Sequence, residues 1–303
     1  MHCDGDRQLS REGLPHMKPL NLTLSFITDE VSPHLETGLK FAQAEDVSAI
    51  DLRVIDDRNA IELSRDELIH AAKLVRSYGM TVACVCTPLL KWSPLGRFAS
   101  AKGDQFGFEL GDRAPDSVYI QAFEAAEILG AHDLRIFSYL AYDDFRLQDL
   151  RQPLDLLLTL AEKFDMKLHV ENEVVCNVVD LSQLYTLIAD YEHPRLRVLP
   201  DIANAYRAGI MPTANDVARL LPYADILHLK DYSEALGRFV AVGEGDIPLE
   251  AMLAATLPGH PAPLTLTIET HASVEPEDTT RRSIRGLRRM LNELKDSYAG
   301  SQR

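Results

Sequence analysis

The sequence has no apolar run long enough to cross a membrane, and its polar N-terminus lacks the apolar core of a secretory signal. Its four cysteines, at positions 3, 84, 86 and 176, match neither a disulfide framework nor a zinc ribbon. Cys84 and Cys86 alternate along an apolar run, which predicts two small buried residues on one face of a strand. We therefore expect a cytoplasmic protein with reduced cysteines and a flexible tail over residues 1–19.

Positive charge is also scarce. The chain has 31 Lys and Arg against 46 Asp and Glu, a formal net charge of −15. A negative surface repels the phosphate backbone, from which nucleic-acid binding draws most of its affinity. The sequence contains neither G-x-G-x-x-G nor a Walker loop, which argues against a nucleotide-binding sheet. We expect no nucleic-acid or membrane partner, and the negative charge favours cations as ligands.

Short apolar, β-rich runs alternate with longer runs of helical periodicity along the whole chain. This order is typical of βαβ units and a parallel sheet. Eight repeats in unbroken alternation predict a (β/α)8 TIM barrel, an α/β fold, as a single domain over residues 20–303. The predicted strands are Leu22–Ile27, Ala49–Arg53, Thr81–Cys86, Leu134–Ser138, Lys167–Glu171, Leu196–Asp201, Ile226–Lys230 and Leu264–Glu269.

One connection, Thr87–Pro115 after the third strand, is much longer than the others. Loops of this length usually have a function or are insertions without regular structure. The loop contains Trp92, Phe98, Phe106 and Phe108 among several glycines. This aromatic content predicts a lid over a site; the alternatives are a decorative insertion or an oligomer contact.

Ionisable side chains occur at the ends of four successive predicted strands. They are Glu171, Asp201, His228 and Glu269. Catalytic groups of a TIM barrel come from the C-terminal ends of its strands, so these four side chains should meet at one mouth. Taken singly, each residue is more simply explained as solvated, salt-bridged or capping a turn. Together, three carboxylates and one imidazole predict a site for one divalent metal ion, because a cation relieves the repulsion between the carboxylates.

Other polar side chains near strand ends are candidates for substrate binding. Arg53, Arg135 and Lys230 could hold hydroxyl, carboxylate or phosphate oxygens. For the two arginines a buried salt bridge is an equal alternative. His169 precedes Glu171 by two residues and should point into the barrel, at a deeper level. Trp92 is the candidate from the long loop.

Five segments carry a resemblance to a known family: VENE at 170–173, LPDIANA at 199–205, ILHLKDY at 226–232, VGEGDIP at 242–248 and LTIET at 266–270. In these segments the chain resembles the xylose-isomerase-like barrel superfamily, which includes sugar phosphate isomerases and epimerases, ketose 3-epimerases, inosose dehydratase and endonuclease IV. The resemblance implies metal ligands at Glu171, Asp201, His228 and Glu269. It also implies that Glu171 and Glu269 act as acid and base on either side of the substrate.

Two positions depart from the family pattern. Glu173 and Asn204 stand where members of the superfamily often have histidine. The second position contacts substrate or a second metal in some members, so Asn204 is a candidate substrate ligand. The absence of these additional histidines argues against the multi-metal, DNA-binding endonuclease branch, as does the net charge of −15.

The sequence and the resemblance together predict a divalent-metal-dependent isomerase or epimerase. Its substrate would be a small sugar or keto-polyol, and proton transfer would proceed through an enediolate. The expected cofactor is one ion, with Mn²⁺ preferred over Mg²⁺, Co²⁺ or Zn²⁺. Two alternatives are a metal-dependent dehydratase of the inosose or dehydroshikimate type and a non-catalytic sugar-binding barrel or enzyme subunit. The resemblance also suggests a homo-oligomer.

Overall fold

Eight parallel strands form the centre of the computed structural model, which describes residues 20–100, 102–260 and 262–300. The predicted flexible tail, residues 1–19, lies outside the described residues. We number the barrel strands β1 (Leu22–Phe26), β2 (Ala49–Leu52), β3 (Thr81–Cys86), β4 (Asp133–Ile136), β5 (Lys167–Glu171), β6 (Leu196–Leu199), β7 (Ile226–Leu229) and β8 (Leu264–Ile268).

The strands are ordered as a ring. Strands β2 to β6 form one parallel sheet in chain order, and β8 lies between β1 and β7 in a second. Isolated parallel bridges between Ile27 and Asp51, and between Asp201 and His228, join the two sheets at both edges. The strand order therefore returns to its start, as the predicted (β/α)8 barrel requires.

Several strands end one or two residues earlier than predicted. The sixth was predicted to reach Asp201 but ends at Leu199, because Pro200 has no N–H to continue the ladder. The residues directly beyond the strands project into the mouth of the barrel. They include Asp201, Lys230 and Glu269. These three residues of the candidate site therefore lie in the loops just after the strands and not, as predicted, within the strands.

Helices follow the strands and pack outside the ring. They are α1 (Leu35–Ala44), α2 (Arg65–Ser77), α3 (Pro115–Leu129), α4 (Arg151–Lys163), α5 (Leu181–Tyr191), α6 (Ile202–Arg207), α7 (Ala214–Leu220), α8 (Leu249–Thr256) and α9 (Pro276–Gly300). Local sequence explains their ends. A capping box of Ser64 and Glu67 starts α2. Pro115 occupies the first turn of α3, and Gly130 ends that helix with a left-handed φ of 81°. No helix among the described residues is long and apolar enough to span a membrane.

Two groups of apolar side chains fill the molecule. The larger lies between the strands and the helices and includes Phe26, Leu227, Leu229 and many others. The smaller comprises Ile27, Cys84, Cys86, Leu199 and Ile226. Side chains alternate along a strand, so Ile226 and His228 face the inside of the barrel, whereas Leu227 and Leu229 face the helices outside it. Cys84 and Cys86 are buried there as free thiols, as predicted.

The long connection between β3 and α3 is folded onto the barrel rather than open. Trp92 is only 4% exposed and lies 5.8 Å from the ring of Phe108 and 6.3 Å from that of Tyr119. Phe106 instead covers the guanidinium of Arg53, with 3.8 Å between the ring centroid and Cζ. Phe98 is 91% exposed. One aromatic of the predicted lid thus reaches the mouth, while two anchor the loop in the core.

Candidate metal centre and active site

The structure brings the four predicted metal ligands together. Glu171 ends β5, Asp201 caps α6, His228 lies in β7 and Glu269 directly follows β8. Each offers one ligand atom, and the four atoms lie within 4.8 Å of one another. All four side chains are buried. We call this set the four-residue cluster.

His228 occupies the centre of the cluster. Its Nδ1 lies 3.2 Å from Glu171 Oε1 and 3.3 Å from Glu269 Oε2. Asp201 is oriented by its own backbone and by the following helix. Its Oδ1 accepts the Asn204 N–H at 2.7 Å, while Asn172 exchanges two hydrogen bonds with the Asp201 backbone. Asp201 therefore caps α6, which was the simpler explanation offered for it, and also belongs to the cluster. Its second oxygen, Oδ2, is not used by the cap.

Cationic side chains surround these carboxylates. Arg135 Nη1 lies 3.2 Å from Glu171 Oε2 and 3.5 Å from Glu269 Oε1. Lys230 Nζ lies between two predicted ligands, 2.9 Å from Asp201 Oδ2 and 2.8 Å from Glu269 Oε2. Both cationic side chains are buried. The cluster is thus part of a network of buried ion pairs, in which Lys230 contacts two of the predicted ligands.

Arg53 adds a third cation at the outer edge of the cluster. It donates to Glu269 Oε1 at 3.0 Å, to Glu30 Oε1 at 2.7 Å and to Asp29 Oδ2 at 2.9 Å. The alternative of a buried salt bridge, raised for both arginines, is therefore what the structure shows for Arg53 and Arg135. Arg53 also lines the pocket described below, so this role does not remove it from a substrate's reach.

Burial and neighbouring charges shift the acidity of the cluster in opposite directions. Burial alone would raise the pKa of Glu269, but Lys230, His271 and His228 bring it well below its usual value. Burial also acts to raise the pKa of Glu171, but Arg135 and His228 outweigh it, so this pKa is lowered overall. At Asp201 burial prevails over Lys230, and the nearby carboxylates add to it, raising the pKa to about 6. The two glutamates are therefore ionised at neutral pH.

The donor set fits a divalent cation. Three carboxylates and one imidazole are the mixed oxygen and nitrogen ligands that suit Mn²⁺, Mg²⁺, Co²⁺ or Zn²⁺. Among the described residues, Glu171 Oε2 and Asp201 Oδ2 accept no aligned hydrogen bond, although a cationic nitrogen lies beside each. Buried polar atoms without aligned partners are rare and need an explanation. Coordination of a cation by these oxygens would provide one.

A pocket of about 510 Å³ opens above the cluster at the C-terminal mouth. Arg53 and His271 connect the two: both line the pocket, and His271 Nε2 lies 3.2 Å from Glu269 Oε1. Further lining residues include Glu30, Lys91, Phe106 and Glu173. Lys91 donates to Glu173 Oε2 at 2.9 Å, forming a second, nearly buried ion pair on the far wall. A small polar molecule would meet both charge signs here.

Sequence reasoning missed part of this pocket. Glu173 follows Glu171 by two residues, and this spacing was a usable signal for a residue on the same side of the chain. Lys91 belongs to the long loop, whose irregular backbone has no periodicity to place it, whereas Phe106 was one of the aromatic residues of the predicted lid. Phe106 has a positive φ of 52°, and its carbonyl accepts from Asn59 Nδ2 at 3.3 Å.

The other predicted substrate ligands divide into two groups. Asn204 and Lys230 lie at the cluster: Asn204 Nδ2 is 3.5 Å from Glu171 Oε1. His169 does not reach the mouth, because its Nε2 contacts Asp133 Oδ1 at 2.6 Å, at the start of β4. The prediction for Trp92 is also corrected. Its ring is enclosed by Phe108 and Tyr119 and does not line the pocket above the cluster.

Asp231, another carboxylate beside the mouth, organises the following loop. It accepts the backbone N–H groups of Gly243 and Gly245 at 3.0 Å and that of Ile247 at 3.2 Å. A Cβ at Gly245 would lie 2.2 Å from Asp231 Oδ1, so only glycine fits this approach. The carboxylate of Asp231 therefore holds the backbone of this loop in place.

Comparisons with known proteins agree with this architecture. A sequence profile described as "Xylose isomerase-like TIM barrel" matches residues 39–290. A comparison with curated proteins gives no significant match. Among solved structures, the chain is similar to L-ribulose 3-epimerase, with a TM-score of 0.71, 13% identity and coverage of 92% of this chain and 98% of the other.

Two further solved structures have the same fold. The probable 3-DHS dehydratase AsbF, involved in petrobactin synthesis in Bacillus anthracis, has a TM-score of 0.68, 15% identity and coverage of 88% and 98%. The IOLI protein with a binding zinc atom has a TM-score of 0.67, 16% identity and coverage of 91% and 99%. At these identities the likenesses show the fold alone. Because the family profile spans most of the sequence, the chain belongs to the xylose isomerase-like TIM barrel family.

Proposed function

We propose that this protein is a divalent-metal-dependent isomerase or epimerase of a small sugar or keto-polyol. The convergence of Glu171, Asp201, His228 and Glu269 within 4.8 Å, buried beneath a polar pocket, carries the proposal. These four residues would hold the cation, with Mn²⁺ as the preferred ion. When bound, such an ion polarises a hydroxyl and an adjacent carbonyl and so acidifies the carbon between them.

Glu171 and Glu269 are the groups that move the proton. Glu171 Oε1 and Glu269 Oε2 lie 3.2 and 3.3 Å from the same nitrogen, His228 Nδ1, so the two carboxylates are close enough to act on one small substrate. Neighbouring cations keep both ionised at neutral pH, so either can accept a proton from carbon. Return of the proton to the adjacent carbon gives isomerisation through an enediolate, and return to the opposite face gives epimerisation.

Other residues of the chain bind and orient the substrate in this proposal. Lys230 and Asn204 lie at the cluster and can donate to substrate oxygens. Arg53 and His271 stand between the pocket and Glu269, where they can contact the part of the substrate that is held in the pocket. The tight burial of the two glutamates keeps bulk water away from the proton in transit. The pocket volume suits a monosaccharide-sized molecule, for which we propose a non-phosphorylated sugar or polyol.

A dehydratase is the second candidate, and the structural likeness to the probable 3-DHS dehydratase AsbF favours it. Both reactions start with removal of a proton next to a carbonyl. They differ in the next step, because loss of a β-hydroxyl gives an enone instead of a rearranged sugar. The third candidate, a binding barrel or subunit without catalysis, predicts cation binding without turnover.

A single incubation distinguishes the three candidates. Purified protein with Mn²⁺ is incubated in D₂O with a panel of ketoses and keto-inositols and followed by proton NMR and ultraviolet absorbance. Deuterium incorporation with aldose–ketose or epimer interconversion supports the proposal, whereas new enone absorbance makes the protein a lyase. No exchange on any substrate, in protein that binds the ion, contradicts both enzymatic candidates. Glu269→Gln and chelator-treated protein are the controls.

The partner proposals follow from surface charge and exposure. The net charge of −15 supports a small molecule rather than nucleic acid as the partner. Leu95 and Phe98 are almost fully exposed on the long loop, which supports the expectation of a homo-oligomer. Light scattering of wild type and Phe98→Ser tests it: a monomeric wild type contradicts the expectation, and a smaller assembly in the variant supports it.

A further inference from the structure

A second group of buried polar residues lies directly below the four-residue cluster. Asp51, Cys86 and His228 each offer an atom within 4.8 Å of the other two. Their residues are at most 1% exposed. Asp51 comes from β2, Cys86 from β3 and His228 from β7, so three strands contribute to this level of the barrel interior. His228 belongs to both groups and connects them.

Asp51 is a buried carboxyl without a cationic partner. Its Oδ1 accepts from Ser25 Oγ at 2.8 Å and its Oδ2 from Thr267 Oγ1 at 2.9 Å. Among the described residues, no Lys, Arg or His nitrogen lies within ion-pair distance of it, whereas the carboxylates above each contact one or more cations. Burying an acid in this way is costly. A neutral side chain could also connect the strands by hydrogen bonds. These hydrogen bonds therefore do not explain why residue 51 is a carboxylic acid.

The imidazole of His228 supplies that explanation. Its Nδ1 faces the carboxylates of Glu171 and Glu269, while Nε2 is buried without a hydrogen-bond partner in the described part of the chain. Nδ1 and Nε2 lie on different edges of the ring, so Nε2 is directed away from the glutamates. The strand register supports this placement, because Thr267, which donates to Asp51, is paired with His228.

We propose that Asp51 and Cys86 position His228 as a ligand: they receive its Nε2–H and thereby leave the Nδ1 lone pair to the cation. Histidines that bind metals nearly always donate their other N–H to a carboxylate or carbonyl, which fixes the tautomer and the ring orientation. Here Cys86 Sγ and a carboxylate oxygen of Asp51 are the candidate acceptors, because each lies within 4.8 Å of a ring nitrogen of His228. The inference rests on the proposed metal site and deepens it. Asp51 and Cys86 are positioning residues and do not contact the ion or the substrate.

Affinity for Zn²⁺ and Mn²⁺, measured by chelator competition, tests the proposal without a known substrate. Asp51→Asn and Cys86→Ala should each weaken binding by about 10- to 100-fold, the range typical for such supporting residues. Cys86→Ser keeps a hydrogen-bonding group and should restore much of the affinity. Cys176→Ala is the control for loss of a buried thiol, since Cys176 is also a fully buried free cysteine but lies outside the group. Its affinity should equal that of wild type.

Spectroscopy separates positioning from a general loss of packing. In ¹⁵N-histidine-labelled protein loaded with Zn²⁺, the resonance that disappears in His228→Asn should show a protonated Nε2 and a metal-bound Nδ1. A protonated Nδ1, or affinities unchanged within twofold in Asp51→Asn and Cys86→Ala, would overturn the proposal. A thiolate charge-transfer band in the Co²⁺ form would also overturn it, because Cys86 would then be a ligand.

The same data distinguish this inference from the proposed function. If wild type and Asp201→Asn bind neither ion, the metal site itself is wrong and the positioning role is refuted with it. If wild type binds tightly and Asp201→Asn weakly, but Asp51→Asn binds like wild type, only the positioning role is refuted. If Asp51→Asn does not fold, the metal affinities of Cys86→Ala and Cys176→Ala decide: equal affinities refute the positioning role, and a weaker affinity of Cys86→Ala alone supports it.

Discussion

Replacing Lys230 by Met should destabilise the metal-free protein strongly and the metal-loaded protein only weakly. The ammonium lies 2.9 Å from Asp201 Oδ2 and 2.8 Å from Glu269 Oε2, and the side chain is fully buried. Removing one partner of a buried ion pair costs about 3–5 kcal/mol, because the remaining charge loses its counter-ion. For a chain of this length that loss corresponds to a fall in Tm of roughly 10 °C.

A cation bound by the same carboxylates should reverse most of this loss. At 100 times its Kd, a ligand stabilises the folded protein by about 2.7 kcal/mol. The stabilisation should be larger in Lys230→Met, because the ammonium no longer competes for Asp201 and Glu269. Thermal and urea unfolding, each with chelator and with Mn²⁺, measure the two effects.

Lys91→Met is the matched control for this experiment. Lys91 forms a nearly buried ion pair with Glu173 at 2.9 Å but does not contact the four-residue cluster. Its loss should therefore destabilise the protein to the same extent with and without Mn²⁺. Equal destabilisation of Lys230→Met under both conditions, or rescue of Lys91→Met by Mn²⁺, would refute the assignment of the ion to the cluster.

Four further outcomes are expected. Glu171→Gln and Glu269→Gln should each lower turnover by about 10²- to 10⁴-fold, the usual contribution of a general acid or base; near-normal initial rates would exclude that role. Metal affinity should fall as the pH is lowered from 8 to 5, because protons compete with the ion at two ligands: burial raises the pKa of Asp201 to about 6, and Glu171, despite burial, raises the pKa of His228 well above its usual value. Calorimetric titration between pH 5 and 8 measures this, and a flat profile contradicts it. In metal-free protein the sign is opposite: the stability contributed by Asp201 is present below its unfolded pKa and is lost as the pH rises through about 6. Gly245→Ala should destabilise the fold by about 1–3 kcal/mol in urea unfolding, since its Cβ would lie 2.2 Å from Asp231 Oδ1; an unchanged midpoint would show that the loop can move.

The order of the strands and helices, and the meeting of the four predicted ligands at one mouth, could both be predicted from the sequence. Strands of a parallel barrel all point one way, so a residue at the end of an apolar run is placed at the mouth without knowledge of its neighbours. Glu171, Asp201, His228 and Glu269 each follow this rule. The rule also placed Lys230 beside the cluster, because it follows His228 by two residues; its binding of substrate stays a prediction.

The face of a strand on which a side chain lies was easier to predict than its distance from the mouth of the barrel. His169 points into the barrel, as alternation predicted, but two residues below Glu171 are enough to bring it to Asp133 at the opposite end. Trp92 was assigned to a lid because aromatic residues were taken together. The fold divides them, since an aromatic ring in a loop is stabilised equally well by core packing, as with Phe108, or by a cation, as with Phe106 on Arg53.

The charge argument for a metal changes once the contacts are known. From the sequence, three carboxylates meeting at one mouth required a cation to relieve their repulsion. The structure shows that Arg53, Arg135 and Lys230 already provide three positive charges to them. Repulsion alone therefore does not require an ion. The stronger argument is the donor set itself: one imidazole and three carboxylates offer ligand atoms within 4.8 Å of one another, and two of their carboxylate oxygens accept no aligned hydrogen bond among the described residues. His228 belongs to the same balance of charge: Glu171 raises the pKa of its imidazole well above the usual value despite burial, and a divalent ion would take the place of the Nδ1 proton between the two glutamates.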